Sequence, residues 1–501
     1  MKSLKFQTIF TSVSFLIQSL FGLLYGLLIS KYFLSTPVAT DSFYISYNIY
    51  LFFNMFAVTL RVSVVPILQE LKEKQNYAMI TLAVSIIFVS LSFILVALSV
   101  PIAHLMSSTL QGISLLRNMI LIFSGVVLFQ GFNGYLSGYL SVERKLNYIS
   151  IVSVIGSGIG LLSFVLLKEI GIYAAPVGFF ITHLIIVLLL LWDTKNGLIL
   201  KFQFSNFSFL YSKNITFTIF KTAIPYIGFN FAFLVSQSSM KNFVEGEITA
   251  FSYAYSLISI MVAAIAGSIG YTISIRMSEL KETESIEYIE NFISKNYFLT
   301  LLTLFFFIGA FLSCNKSLGI FIFQYLPSNS ISVDDLHLVY VFDSSSVVLS
   351  IGGIFLGLFS ILVPVNLTYK QIKGFFRYTI LVLLFHIIVT YSISSQKNTI
   401  GVSGAYSTAC FLLFLYQPIQ LLKIFPLRFV LKLFMVLSKF FIIWVVSLVF
   451  SFYINNSVML SLLEVFKYAV LNVIIYSLVY ISLNLIFQKE FFQILKAIVI
   501  K

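Results

Sequence analysis

Along its 501 residues the chain alternates long apolar runs with short polar connections, and no other pattern in it constrains the fold as strongly. A helix needs about 20 consecutive apolar residues to cross a bilayer, and lipid admits only structures that satisfy every backbone polar group internally. Fourteen segments reach that length, near residues 8–33, 42–68, 78–105, 115–141, 148–168, 172–192, 222–243, 249–275, 296–314, 338–366, 375–394, 399–421, 433–454 and 467–488. The expectation is an all-α polytopic membrane protein with about 14 transmembrane helices. Composition agrees, since 59% of the residues are apolar and only 10% are charged, far below a soluble domain.

The first apolar run follows Lys2 and Lys5 in the manner of a secretory leader. It continues to Phe33 without a small-residue cleavage site, so it reads as the first span. Most of the 31 Lys and Arg residues fall in alternate connections, including Lys72, Lys145, Lys281, Lys373 and Lys489. By the positive-inside rule these connections and both termini lie in the cytoplasm, as an even number of spans requires. The net charge of +13 is then a matter of topology and of attraction to anionic lipid, and nucleic acid is not an expected partner.

Two short acidic connections, at Asp41 and at Glu245 and Glu247, hold corresponding positions in two blocks of six spans. The expected organisation is therefore a bundle over 1–220, a second over 221–421, and two appended helices in 422–501, with a central cavity between the bundles. Between spans 8 and 9 the segment 278–295 carries five glutamates with Ile286, Ile289 and Ile293 at helical spacing, and it reads as an interfacial amphipathic helix.

No catalytic or metal-binding constellation is present: the chain lacks a phosphate-cradling G-x-x-x-x-G-K-[ST] run, an H-E-x-x-H pair and a paired-cysteine pattern. Cys314 and Cys410 read as buried free thiols. Gly156 and Gly160 form a G-x-x-x-G pair suited to close helix packing. His104, His183, His337 and His386 read first as structural residues, with proton relay the alternative open to any histidine. Polar residues within the spans are the candidate lining of a transport pathway. Arg61 shares a helical face with Tyr47 and Asn54, and a guanidinium in such a run costs about 2.5–3.5 kcal/mol unless it reaches water, a carboxylate or an anionic substrate. Ser19 and Tyr25 in span 1, Asn230 and Gln237 in span 7, and Tyr255 and Ser256 in span 8 complete the expected cavity, with Asp41 at its rim. Asp343 in span 10 is the candidate coupling-ion site, for sodium or a proton, with a near-surface role at the helix start the alternative; no other cofactor is implied.

The stretch Ser30-Lys31-Tyr32-Phe33 through Ala39-Thr40-Asp41-Ser42-Phe43, then Val65-Pro66-Ile67-Leu68, resembles the MurJ/MviN-type lipid II flippases, within the wider group of multidrug and oligosaccharidyl-lipid exporters. Tyr253-Ala254, Phe323-Gln324-Tyr325 and Gly401-Val402-Ser403-Gly404-Ala405 extend the resemblance over most of the chain. It implies a non-enzymatic, monomeric transporter that carries a polyprenyl-diphosphate-linked saccharide to the outer leaflet by alternating access. Spans 1, 2, 7 and 8 would line the cavity, and spans 13 and 14 a groove for the lipid tail. The family's R-x-x-G-x-x-R pattern in span 1 is replaced here by Ser19, Gly22 and Tyr25, and the arginine following its Tyr-Ala pair by Ser256. Asp41 is retained, whereas Arg61 lies further along span 2 than the family's arginine. A buried diphosphate needs cationic or donor compensation. The alternatives left open are an O-antigen or capsule repeat-unit flippase, an ion-coupled drug exporter and, from another class, a membrane glycan polymerase or glycosyltransferase.

Overall fold

The structure, a computed structural model, describes residues 2–70, 77–143, 145–194, 227–327, 333–369, 374–453 and 461–488. Its helices are α1 (Lys2–Phe33), α2 (Pro37–Glu70), α3 (Tyr77–Met106), α4 (Leu110–Val142), α5 (Leu146–Leu166), α6 (Ala174–Thr194), α7 (227–239) and α8 (Glu247–Val262). They continue with α9 (Ser268–Thr283), α10 (Ile286–Ile320), α11 (Val333–Thr368), α12 (Phe375–Ser394), α13 (Thr399–Leu421), α14 (Leu427–Tyr453) and α15 (Leu462–Phe487). A π-helical turn, Ala263–Gly267, joins α8 to α9, so the two form one span. Eleven of the described spans are long and apolar enough to cross a membrane. Helices α1, α2 and α7 fall in the first, second and seventh expected spans, residues 222–226 of the seventh lying outside the described residues. The chain is a multi-pass membrane protein.

The segment 278–295 is not a separate interfacial helix. It splits at Glu284 and Ser285: α9 ends at Thr283, and the Ser285 hydroxyl accepts from the Tyr288 amide to start α10. A serine at that position satisfies one of the orphan amides of a new helix, so the glutamates fall in two helix ends. Ile289 and Ile293 are buried, while Ile286 is exposed.

The helices gather into two compact units. One holds Met1–Ser252 and Ile372–Ala409, the other Tyr253–Gln371 and Cys410–Lys501. Both α8 and α13 therefore begin in the first unit and end in the second. These units draw on other stretches of the chain than the expected blocks 1–220, 221–421 and 422–501.

In the first unit α4 packs against α2, α3 and α6, and α5 against α6 and α1. Small residues set the closest approaches. A Cβ on Gly160 would collide with Thr182 and the Gly178 carbonyl of α6, one on Gly156 with Ile186, and one on Gly134 of α4 with the Ala57 carbonyl of α2. The G-x-x-x-G pair thus serves close packing, as its spacing suggests. At one end of this unit Lys145 bridges Asp193 at 2.7 Å and Glu143 at 3.3 Å, an ion pair worth little because all three side chains are partly exposed.

In the second unit α10 is the central helix, packed on α11, α14 and α15. Tyr476 and Tyr480 of α15 donate to the carbonyls of Phe305 (2.7 Å) and Leu302 (3.1 Å), giving buried phenols the acceptors they need. Phe305 also meets Phe440 and Trp444 of α14. Exposed Leu381, Leu384 and Ile388 on α12, and Leu463, Leu478 and Ile486 on α15, are the surfaces a bilayer would cover. Neither Cys314 nor Cys410 forms a disulfide; Cys410 is buried as expected, whereas Cys314 is only half-buried.

Candidate functional site

Asp41, the fifth residue of α2, is the best-supported polar site in the first unit. Its Oδ2 accepts from the Gly246 amide at 2.8 Å, and its Oδ1 accepts from the Thr249 amide at 2.8 Å and the Thr249 hydroxyl at 2.6 Å. Helix α8 starts at Glu247, so the first amides of that helix have no partners within it, and a carboxylate from α2 supplies them. Gly246 takes φ 92°, a left-handed conformation that suits glycine, and this aims its amide at the acid. Glu247, the first residue of α8, makes a further tie through a side chain. Its Oε2 accepts from the hydroxyl of Thr399, the first residue of α13, at 2.6 Å. The two helices that pass from one unit into the other are therefore both anchored at their starts by carboxylates of the first unit.

A cavity of about 240 Å³ opens beside Asp41. Ser108, Thr109, Lys241 and Glu245 are among the polar residues lining it, and the Ser108 hydroxyl donates to the Lys241 carbonyl at 3.0 Å. The α3–α4 turn, the α7–α8 turn and the start of α2 are thus tied together at one end of the unit. Lys31 and Lys168 stand near the Tyr32 ring, at 5.7 and 5.6 Å from its centroid.

Similarity to solved structures fits this architecture. A lipid II flippase MurJ in an inward closed conformation is 18% identical, with a TM-score of 0.70, and the match covers 96% of this chain and 99% of that one. The fold is that of the MOP-superfamily transporters. An inward-facing MATE family multidrug resistance transporter of that superfamily is 15% identical over 82% of this chain and 97% of its own, with a TM-score of 0.63. A MOP superfamily transporter from Pyrococcus furiosus is 13% identical, covering 87% of this chain and 96% of its own, with a TM-score of 0.62. No family model matches the chain, and no curated protein matches it.

The remaining candidate residues fall in different surroundings. Tyr25 is buried between α5 and α6: its hydroxyl donates to the Ala175 carbonyl at 2.5 Å, and its ring meets Phe164 and Phe179. That phenol proton is committed to a helix contact. Tyr47 is half-buried in an aromatic cluster with Phe43, Tyr50, Phe123 and Phe179. Asn54 is half-buried, and its carbonyl oxygen has no protein partner among the described residues. Gln237 is fully buried, with its amide nitrogen donating to Ser252 at 2.8 Å and its carbonyl oxygen unpaired among the described residues. Ser19 and Asn230 are half-buried in the same unit. Arg61 lies on α2, and its side chain is outside the described residues. Tyr255, buried, and Ser256, half-buried, belong to the second unit, as does half-buried Asp343, whose backbone carbonyl accepts from Asn315 at 3.3 Å. Among the described residues no group of His, Cys, Asp and Glu is placed to hold a metal.

Sequence reasoning missed Gly246, Thr249 and Thr399 as partners. The available signal was the run Gly246-Glu247-Ile248-Thr249, a glycine and a short hydroxyl residue bracketing a helix start opposite a lone acid.

Proposed function

We propose that the chain is a flippase for a polyprenyl-diphosphate-linked saccharide, with the peptidoglycan precursor lipid II as its cargo. It works by alternating access between two bundles of a bacterial inner-membrane protein whose termini face the cytoplasm. The observation that carries this reading is the match to the MurJ flippase over 96% of the chain, against 82% for the MATE transporter. The Asp41 anchor adds to it, because it fixes the start of α8 on what the charge distribution makes the outer side, and Glu247 of α8 in turn holds the start of α13. The transport unit is a monomer, no enzyme chemistry is involved, and the driving force is an ion gradient or the membrane potential.

A second cargo class, an O-antigen or capsule repeat unit, carries the same polyprenyl diphosphate, so Tyr25, whose hydroxyl is bound to the Ala175 carbonyl and does not replace the missing family cation, does not tell the two apart. Depletion in the native host distinguishes the two. Lysis with lipid II trapped in the inner leaflet supports the first reading, and loss of surface polysaccharide with normal growth supports the second. Drug sensitivity alone would move the protein to the exporter branch.

A further inference from the structure

His386 of α12 is 1% exposed, yet its imidazole touches two neighbouring helices through both nitrogens. Nε2 lies 2.8 Å from the Ala232 carbonyl of α7 and 3.3 Å from the Ser236 hydroxyl. Nδ1 lies 3.2 Å from the Ala405 carbonyl of α13 and 3.2 Å from the hydroxyl of Thr390, one turn along α12. All five residues lie in the first unit, and both hydroxyls are buried.

A neutral imidazole has one N–H and one lone pair, whereas an imidazolium has two N–H groups and no acceptor. Two backbone carbonyls, acceptors only, flank this ring on opposite sides. In the neutral form Nε2–H can donate to Ala232 while Nδ1 accepts from Thr390, which leaves the Ala405 carbonyl facing a lone pair. Adding a proton to the Nδ1 lone pair lets the ring donate to Ala405 as well, and the Thr390 hydroxyl hydrogen rotates away. The ring then donates to α7 and α13 at once. A carbonyl already engaged within its helix keeps a second lone pair for this. His183, also buried, lacks such a setting: its Nε2 meets the Tyr50 hydroxyl at 3.0 Å, and its Nδ1 has no partner among the described residues.

We propose that His386 is a proton-binding site inside the membrane span, and that its ionised ring pins α7 to the first half of α13. The ligand is a proton taken from water, with no other co-reactant. The other titratable groups on the elements packed around it are Arg377, Tyr378 and Tyr391 on α12 and Tyr406, Cys410 and Tyr416 on α13; α7 carries none. Of these, Arg377 is exposed and the Tyr391 hydroxyl is bonded to Ser238 at 2.9 Å. The described part of these helices thus brings no carboxylate to His386, and the two carbonyl dipoles are what compensate a positive ring there. Glu247, bonded to Thr399 at the start of α13, is the acid on the neighbouring α8. Since α13 leaves the first unit after Ala409, the pin acts on the half that belongs to it. As a coupling site for transport, His386 rests on the flippase reading; as a proton site it does not.

The test uses the full chain in lipid nanodiscs, labelled with ¹⁵N in its four histidines and ¹³C at alanine carbonyls. Spectra are followed from about pH 8 to about pH 5, where histidine changes charge. The His386 signals are assigned with His386→Gln, or by replacing the other three histidines singly should that variant fail to fold. The expected result is that both ring nitrogens become protonated within this range and that the Ala405 carbonyl resonance shifts in step. Thr390→Val, which removes the partner of the neutral ring, should move the midpoint to higher pH. A ring that stays neutral throughout, or one that ionises with the Ala405 resonance unmoved, overturns the proposal. Because the readout needs no cargo, a failed translocation assay would count against the flippase reading alone.

Discussion

At the scale of single residues, Asp41 and Tyr25 carry the argument, and they differ in how much a sequence can reveal. Asp41 is legible as an isolated acid in a short connection. Its function as a cap is not, because Gly246 and Thr249 lie more than two hundred residues away and ordinary amides and hydroxyls leave no mark on a pattern. Asp41→Ala strips three donors of their acceptor, and a buried donor left unsatisfied costs about 1–3 kcal/mol. The unfolding midpoint in detergent should fall accordingly, with a smaller loss for Asp41→Asn, which keeps one carbonyl oxygen. An unchanged midpoint would show that the capping contacts contribute nothing. Tyr25→Phe removes one hydroxyl bond worth about 1 kcal/mol and should leave transport intact. Lost transport at preserved stability would return Tyr25 to the cargo. Arg61 is argued from the expense of a charge in an apolar run: Arg61→Ala should reduce translocation and Arg61→Lys restore it only in part, since lysine lacks the bidentate fork. Full activity in a folded Arg61→Ala protein would remove it from the site.

At the scale of elements, periodicity and length locate helices far better than they locate breaks. The helices α12 and α13 begin and end where the apolar runs do, at 375–394 and 399–421. The division between α9 and α10 was not legible, because a single serine cap in a glutamate-rich stretch outweighs the amphipathic spacing around it. Glycines provide a test of element packing. Gly160→Ala would drive a methyl group into Thr182 and Gly178 on α6, and such overpacking costs about 1–3 kcal/mol. Gly158, two residues away, faces only the Phe21 ring at 3.7 Å, so Gly158→Ala should be neutral or stabilising by about 0.5–1 kcal/mol through lower backbone entropy. Thermal unfolding of the pair checks this, and equal effects would mean that α5 and α6 do not approach as closely as described.

At the scale of the whole molecule, the apolar punctuation alone conveys a many-helix membrane protein, and short motifs convey the resemblance to flippases. Neither conveys that α12 and the first half of α13 join the amino-terminal helices in one compact unit. That arrangement is written in contacts between distant segments, such as Glu247 with Thr399 and His386 with Ala232, which have no local signature. The central claim is that this assembly moves a polyprenyl-diphosphate-linked saccharide across a bilayer. The direct measurement is translocation of labelled lipid II, beside other polyprenyl-linked saccharides, by the purified full chain in sealed vesicles with and without an imposed potential. The expected result is lipid II transfer above that of protein-free vesicles. Folded protein that transfers none of these lipids under either condition would contradict the account.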